Sequence, residues 1–318
     1  MKISLVTPAG KQSRAGNRTT AVRWARILRK LGHDVVITKE SVGTDADMMV
    51  ALHAWRSADS IRAFSDHYPH RPLVVLLAGT DIYEFQESQP ETTHDSMDRA
   101  DALLCLHDLV FSAVPARHRK KLQVIYQSSL TLPAPRAPSP RWFEVCVAGH
   151  LRDVKDPLRT AYAARLVPKD SRLRVVHLGE AHNAGWAQDA RGEMKRNPRY
   201  IWKGEVPGWQ VRRQFARCHA MVISSLTEGG ANIVSEAIVC GVPVIASRID
   251  GNVGLLGEDY DGYYPAGDER ALADLLYRAE TDADLLTRLT LQVKARQPLF
   301  TPKREEVAWR KLLKVLSG

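Results

Sequence analysis

Short apolar runs alternate with amphipathic segments along most of the 318-residue chain. Apolar runs of roughly four to eight residues are typical of strands buried on both faces, and segments with apolar positions three or four apart are typical of covering helices. The pattern therefore predicts an α/β fold with parallel sheets. Two series of strands are predicted, the first over 3–7, 35–38, 48–53, 73–78, 102–106 and 122–126, and the second over 143–148, 173–178, 200–202, 220–224 and 242–246.

The clearest helical pattern covers residues 18–31. Asn17 precedes this segment as a predicted N-cap, and Gly32 follows it as a predicted stop. The apolar side chains that share one face of the predicted helix are Ala21, Trp24, Ala25, Leu28 and Leu31.

Four prolines interrupt the stretch Leu-Pro-Ala-Pro-Arg-Ala-Pro-Ser-Pro-Arg over 132–141. Proline lacks an amide hydrogen and has a fixed φ, so this stretch cannot continue a helix or pair in a sheet. We place a domain boundary here and predict two Rossmann-like domains, over 1–135 and 141–297, each large enough for its own core. A basic amphipathic C-terminal helix is predicted over 303–318.

The composition, with 44% hydrophobic and 25% charged residues, is typical of an ordinary globular protein. No apolar run is long enough to span a bilayer, and the N-terminus leads directly into a strand. We therefore expect no signal peptide, no stable membrane insertion and a cytoplasmic location. The cysteines lack metal-binding spacing and are expected to be reduced, buried thiols: Cys105, Cys146, Cys218 and Cys240.

A net charge of +9 and a pI near 9.4 favour anionic partners. Nucleic acid, membrane headgroups and phosphorylated small molecules all meet that description. The basic residues are scattered through helices, with no aromatic residues interleaved in a stripe. Solvated helix faces explain this distribution better than a nucleic-acid-binding surface does.

Two glutamates, Glu228 and Glu236, stand eight positions apart after the predicted strand 220–224. On one continuous helix they would lie about 80° apart around the axis. Gly229 and Gly230 instead predict a turn that brings backbone close to a ligand, followed by a helix over 231–240 that ends at Gly241. One carboxylate is then placed at a reaction centre, and the other reaches a ribose from a helix whose first amides face an anion. Two solvated glutamates are the alternative on spacing alone.

The loop after the first predicted strand has no Gly-x-Gly-x-x-Gly pattern, which disfavours a dinucleotide site. It offers small residues and two arginines, Arg14 and Arg18, where a helix begins. Such a loop suits an anion, either a donor phosphate or a charged acceptor, and a solvated surface loop is the alternative. Further candidates lie at strand ends, although each alone is more often a structural polar residue: His53, Gly79, Thr80, Asp81, His107 and Gln127.

The Glu-x7-Glu segment resembles that of retaining GT-B glycosyltransferases of the glycogen-synthase-like family 4, which use nucleotide-sugar donors. Residues 147–157, Val-Ala-Gly-His-Leu-Arg-Asp-Val-Lys-Asp-Pro, resemble the Gly-Arg-Leu…Lys-Gly loop of that family, where cations meet the donor diphosphate. Here His150 occupies the usual arginine position and Asp156 the usual glycine position. The diphosphate role therefore passes to Arg152, with Lys155 as its partner. Two exposed loop cations are the alternative.

The resemblance implies two Rossmann-like domains facing a central cleft, with the C-terminal helix packing back on the first domain. It also implies a metal-independent enzyme. Asp45 and Asp47 have the Asp-x-Asp spacing of GT-A metal sites, but they precede their strand, at the wrong edge of the sheet for a ligand, and we interpret them as turn residues. The expected donor-binding residues are Arg152, Lys155, Glu228, Gly229, Gly230, Asn232, Ile233 and Glu236.

A closer resemblance covers both predicted domains. The opening Val6-Thr7-Pro8-Ala9 with Ser13-Arg14-Ala15-Gly16-Asn17-Arg18-Thr19-Thr20-Ala21-Val22-Arg23-Trp24-Ala25 resembles the selenosugar synthases of bacterial selenoneine biosynthesis. This resemblance implies transfer from UDP-glucose or UDP-N-acetylglucosamine to selenophosphate, which yields a 1-selenosugar, UDP and phosphate. Both small molecules are then substrates, and no cofactor is implied.

Selenophosphate is already anionic and soft, so formation of the C–Se bond needs positive charge and positioning more than a strong base. Glu228 is expected to contact the sugar or stabilise its oxocarbenium-like charge. His53 or Asp81 is the candidate for activating the water that removes the phosphate. The expected catalytic set is thus Glu228, Arg152, Lys155, His53 and Asp81, and the expected acceptor-binding set is Arg14, Gly16, Asn17, Arg18, Thr80 and Gln127.

Two other classes of function stay open. One is a family 4 transferase that acts on an ordinary hydroxyl acceptor. The other is a basic, non-catalytic nucleic-acid binder, which we rank well below because charge alone does not explain the Glu228 and Glu236 spacing. We therefore expect no nucleic-acid partner. The sugar preference, the anomeric outcome and the oligomeric state do not follow from the sequence.

Overall fold

A computed structural model of the chain describes residues 1–11, 16–40 and 45–316. Contacts between Cα atoms divide the chain into two compact units. The first contains Met1–Ser128, the short segment Glu228–Asn232 and the chain from Pro302 onward. The second contains Ser129–Thr227 and Ile233–Thr301. No helix in the described part of the chain is both long enough and apolar enough to cross a membrane.

Each unit contains a six-stranded parallel sheet. The strands of the first unit are β1 (Lys2–Val6), β2 (Asp34–Thr38), β3 (Met48–Leu52), β4 (Leu73–Leu76), β5 (Ala102–Cys105) and β6 (Leu122–Val124). Those of the second are β7 (Phe143–Ala148), β8 (Leu173–Leu178), β9 (Tyr200–Trp202), β10 (Ala220–Ile223), β11 (Val244–Ser247) and β12 (Tyr263–Tyr264). All eleven predicted strands are confirmed within two residues at each end, and only the two-residue β12 was missed.

Helices alternate with most of the strands. In chain order they are α1 (Gly16–Lys30), α2 (Ala58–His67), α3 (Gln86–Ser88), α4 (Pro90–Arg99), α5 (Val110–Ala113), α6 (Arg159–Leu166), α7 (Ala184–Arg196), α8 (Gly208–Arg217), α9 (Asn232–Val239), α10 (Asp250–Leu256), α11 (Glu269–Thr281), α12 (Ala283–Arg296) and α13 (Pro302–Leu316). Short 3-10 or π-helical segments occur at Asp81–Phe85, Ala116–Lys121, Asp153–Lys155 and Gln297–Phe300.

The strand orders are β2-β1-β3-β4-β5-β6 and β12-β11-β10-β7-β8-β9. Chain connections reverse direction at β1 in the first sheet and at β7 in the second. Ligands of open α/β sheets bind outside the carboxyl ends of the strands at such a reversal. The loops after β1 and β3 in the first unit, and after β7 and β10 in the second, are therefore the places to look for a site.

In the first unit the sheet separates two apolar layers. On one face α1 and α13 pack together, and the rings of Trp24 and Trp309 meet edge to face with their centroids 4.9 Å apart. On the other face Ile61 and Phe64 of α2 and Met97 of α4 are buried. The apolar face predicted for residues 18–31 is thus the face that α1 buries.

The ends of α1 and α9 can be compared with the predicted capping and stop residues. Gly32 and Gly241 both adopt positive φ, +91° and +66°, just after α1 and α9, so both predicted stops are confirmed. The predicted N-cap at Asn17 is wrong, because α1 already begins at Gly16. Asn17 is therefore a residue of the helix itself, where its side chain cannot serve as the N-cap.

The proline-rich stretch packs with the second unit. Arg136 donates to the backbone oxygens of Gly241 and Cys218, each at 2.6 Å, and the Ala137 amide donates to Ala216 O at 2.8 Å. The compact units consequently divide at Ser128, several residues before the boundary placed on the prolines.

Candidate active site

Asp81 ties together the ends of β3 and β4 in the first unit. Its carboxylate is fully buried and accepts three backbone N–H groups, from Ala54 at 2.9 Å, Ala78 at 3.0 Å and Gly79 at 2.8 Å. Hydrogen bonds to an ionised carboxylate are about twice as strong as neutral ones. These bonds favour a structural role for Asp81 and leave His53 as the catalytic candidate of the two.

His53 follows β3 with φ +82°, one of two positive values at non-glycine residues in the described part of the chain. Such a backbone costs on the order of 1–3 kcal/mol and persists where surrounding contacts hold it. The ring Nδ1 accepts the Arg56 amide at 3.2 Å, so Nε2 carries the proton and donates to Thr80 Oγ1 at 2.8 Å. Burial lowers the pKa of His53, although the nearby Asp81 acts in the opposite direction, and the ring is neutral at pH 7.

The hydrogen bond from His53 determines whether the Thr80 hydroxyl acts as a donor or an acceptor toward a ligand. Because the Thr80 oxygen accepts the imidazole proton, its own hydroxyl proton is left for another acceptor. Thr80 is half-buried at the carboxyl end of β4, the edge at which ligands of such sheets bind. The pair is therefore suited to donate a hydrogen bond to an anion or a carbonyl.

The segment Glu228–Asn232 packs against strand ends of the first unit. A Cβ at Gly79 would lie 2.5 Å from Gly229 N, one at Gly229 would lie 2.4 Å from Ala78 O, and one at Gly230 would lie 2.6 Å from the Leu106 Cβ. The predicted turn is confirmed, since Glu228 lies outside α9. These glycines admit neighbouring protein atoms at their Cα positions. The close approach of a ligand to this backbone stays a prediction.

Asn232 begins α9 and is held by side chains of α1. Its Oδ1 accepts from Arg23 Nη1 at 2.9 Å, and its Nδ2 donates to Thr20 Oγ1 at 3.4 Å. The buried Gln127 donates to the same Thr20 oxygen at 2.8 Å. The structure thus links Asn232, a donor candidate, with Gln127, an acceptor candidate, through Thr20. Sequence reasoning missed Thr20 and Arg23 as site residues.

The remaining acceptor candidates lie in the first turn of α1. Gly16 is exposed beside Asn232, whereas Asn17 and Arg18 are half-buried. Arg14 lies outside the described residues. His107, buried after β5, completes the strand-end candidates.

In the second unit the loop after β7 carries the two candidate cations. Arg152 is exposed and extended, and Lys155 is half-buried at the end of the turn Asp153–Lys155. The Ser224 hydroxyl, at the carboxyl end of β10, donates to Lys155 O at 3.1 Å and Asp156 O at 2.8 Å. The Leu226 amide donates to Val154 O at 2.9 Å. These bonds fasten the cation loop to the chain that leads to α9, which carries Ile233 and the half-buried Glu236.

Asp156 explains how this chain dispenses with a glycine in that loop. Its φ is +43°, a left-handed conformation that aspartate tolerates better than most residues. Its carboxylate accepts from Arg159 Nε at 2.7 Å, and Arg159 in turn pairs with Glu269 of α11. A side chain that is turned toward α6 and α11 thus replaces the open space of a glycine.

His177 holds the start of the loop after β7 by a hydrogen bond to Gly149. This ring in β8 is buried, its Nε2 donates to Gly149 O at 3.2 Å, and its Nδ1 accepts from the Tyr200 hydroxyl at 2.9 Å. Burial lowers the pKa of His177 to about 4, so the ring stays neutral. No sequence pattern indicates a role for this residue, because a histidine within a strand belongs to no motif.

The other polar candidates have structural partners. Asp45 accepts from Arg71 Nη1 at 2.8 Å, and this bond lowers the pKa of the Asp45 carboxyl. Asp47 accepts the Lys2 amide at 2.8 Å. Both contacts agree with the interpretation of this pair as turn residues. The predicted thiols are confirmed, since all four cysteines are free and buried.

Two parallel-sheet Rossmann-like domains of this kind define the GT-B class, and the predicted fold class is confirmed by solved structures. HepE of Anabaena, in complex with UDP and glucose, has a TM-score of 0.78 at 14% identity and covers 99% of this chain and 100% of that one. Sucrose-phosphate synthase of Thermosynechococcus elongatus has a TM-score of 0.80 at 15% identity and covers 99% and 98%.

The sequence profile of the family Glycosyl transferases group 1 matches residues 137–296, half of the chain. This chain belongs to that family of glycosyltransferases. Among curated relatives, O-antigen chain mannosyltransferase B of Escherichia coli is 23% identical over 252 residues, 66% of each chain. Glycosyltransferase 1 domain-containing protein 1 of Xenopus tropicalis is 21% identical over 308 residues, 89% of each chain.

Proposed function

We propose that this glycosyltransferase transfers a hexosyl group from UDP-glucose or UDP-N-acetylglucosamine to selenophosphate. The C–O bond between the anomeric carbon and UDP breaks, and a C–Se bond forms at that carbon. Water then cleaves the Se–P bond, so the products are a 1-selenosugar, UDP and phosphate. We place the reaction in the cytoplasm, with which four reduced, buried thiols agree.

The observation that carries the acceptor assignment is the His53–Thr80 hydrogen bond. It leaves the Thr80 hydroxyl as a donor at the carboxyl edge of the sheet, an arrangement that suits an anionic acceptor. The carboxylate oxygens of Asp81 already accept three backbone N–H groups, and the residue is therefore poorly suited to deprotonate a sugar hydroxyl. Arg18 in the first turn of α1 supplies positive charge in the same unit.

The donor roles follow the chemistry of the candidate side chains. Arg152 and Lys155 neutralise the diphosphate charge that grows as UDP leaves. Glu236 accepts hydrogen bonds from ribose hydroxyls, and Glu228 contacts the sugar. A site of this composition neutralises UDP with side-chain cations and helix amides, so we propose a reaction without a metal ion.

A panel of acceptors tests the proposal. UDP release is measured with each UDP-sugar in the presence of selenophosphate, thiophosphate, phosphate or a set of simple sugar alcohols. Selenophosphate should give the fastest release, because selenium is the softest nucleophile, and phosphate should give none. If UDP were released with the sugar alcohols but not with selenophosphate, the result would support a transferase that acts on an ordinary hydroxyl acceptor.

A further inference from the structure

Glu305 is a buried carboxylate in the first turn of α13, only 1% exposed. One carboxylate oxygen accepts Trp24 Nε1–H at 2.8 Å and Arg23 Nε–H at 3.2 Å. The other accepts the Ser128 amide at 2.9 Å and also bonds the Ser128 hydroxyl. A carboxylate surrounded by four donors is fully satisfied, and it therefore holds each partner firmly in place.

Arg23 extends this network to the start of α9. Its guanidinium is a rigid planar fork, with Nε on Glu305 and Nη1 on Asn232 Oδ1 at 2.9 Å. Asn232 is one helical turn before Glu236 and four residues after Glu228. A chain of hydrogen bonds thus connects the C-terminal helix with the segment that separates the two candidate donor glutamates.

The segment Glu228–Asn232 contains two glycines. Gly229 and Gly230 have no side chains and lose more conformational freedom on folding than other residues do. Their close packing against Gly79 and Leu106 fixes one end of the segment, and the contacts of Arg23 and Thr20 with Asn232 fix the other, the Arg23 contact being the shorter at 2.9 Å. Without the second attachment the segment Glu228–Asn232 would sample more conformations.

We propose that Glu305 and Arg23 are positioning residues of the donor site, which act by holding Asn232. They hold the segment Glu228–Asn232 of the first unit and so set the placement of Glu228. This inference rests on the proposed function only in taking a uridine diphosphate sugar as donor. It makes no use of the identity of the acceptor.

Arg23→Lys is the direct test, because lysine keeps the charge but cannot span Glu305 and Asn232 with a fork. We expect the Kd of UDP, measured by calorimetry on the full chain, to rise about tenfold, the loss typical of one hydrogen bond to a charged group. Glu305→Gln should act in the same direction, since one amide end would face donors that need an acceptor. The UDP-sugar KM should rise with the Kd, and the acceptor KM should not change.

Two matched controls separate positioning from general destabilisation. Arg26→Lys makes the same substitution on the exposed face of α1 and should change nothing. Trp24→Phe removes a donor from the same Glu305 oxygen without touching the link to Asn232, so it should lower the Tm and leave the Kd of UDP unchanged.

A double-mutant cycle tests whether Arg23 acts through Asn232. If it does, Arg23→Lys combined with Asn232→Ala should weaken UDP binding no more than Asn232→Ala alone. Additive losses, or an unchanged Kd in folded Arg23→Lys, would overturn the proposal. Since UDP binding is measured without selenophosphate, failure of the acceptor assignment would leave this result intact.

Discussion

Replacing His177 by glutamine should remove a pH dependence of stability from the second domain. Glutamine offers an N–H donor for Gly149 O and an oxygen for the Tyr200 hydroxyl, but it does not titrate. In the wild type the folded imidazole has a pKa of about 4, against 6.5 when it is exposed. The unfolded state therefore binds more protons between these two values, and the free energy of unfolding falls as the pH falls from about 6.5 to about 4.

The magnitude follows from the difference between the two pKa values. At roughly 1.4 kcal/mol per pKa unit, the contribution of His177 that is lost across this range is about 3 kcal/mol. Burial also lowers the pKa of His53, His94, His118 and His219, so the wild-type curve alone is not specific. The difference between wild type and His177→Gln cancels their contributions.

Urea unfolding of both proteins between about pH 7.5 and about pH 4.5 measures this difference. The wild type should be the more stable at neutral pH, and its advantage should shrink or reverse on acidification. A difference that stays constant across the range would refute the assignment of a neutral, buried His177.

Four further outcomes are expected. Glu236→Gln should raise the UDP-sugar KM, since a charged acceptor for ribose hydroxyls becomes a neutral amide, and an unchanged UDP affinity would contradict the ribose role. Arg152→Ala and Lys155→Ala should each lower kcat, by on the order of 3 kcal/mol of transition-state stabilisation, and near-normal turnover in both would remove the diphosphate assignment. Arg18→Ala should raise the selenophosphate KM by the factor that corresponds to losing about 1.5–3 kcal/mol of binding free energy, while the UDP-sugar KM is nearly unchanged. The reverse pattern would assign Arg18 to the donor. EDTA should leave turnover intact. If EDTA stopped turnover, manganese restored it and the Asp45→Ala variant were inactive, the interpretation of Asp45 and Asp47 as a metal site would be restored.

The fold followed from local patterns. Strand-length apolar runs, the one-sided pattern of α1 and the glycines after α1 and α9 each act within a few residues, and the structure confirms them. The turn at Glu228 was predicted for the same reason. Hydrophobic periodicity, together with glycines that end helices, was therefore enough to predict the order of strands and helices.

The surroundings of the candidate site did not follow, because they depend on contacts between distant residues. Arg23 and Asn232 are 209 residues apart, and Arg23 and Glu305 are 282 apart. The close approach of Gly79 to Gly229, which gives both glycines a packing role, has no local signature. The bonds that favour a structural role for Asp81 include one from the Ala54 amide, 27 residues away, which no local pattern indicates.

The central claim is the formation of a carbon–selenium bond, and mass spectrometry of the products tests it most directly. With UDP-glucose or UDP-N-acetylglucosamine and selenophosphate, the wild-type enzyme should give a hexose that carries one selenium atom, together with UDP and phosphate in equal amounts. Omission of selenophosphate should abolish the product. A glycosylated hydroxyl acceptor with no selenium-containing sugar, under conditions in which UDP is released, would contradict the account.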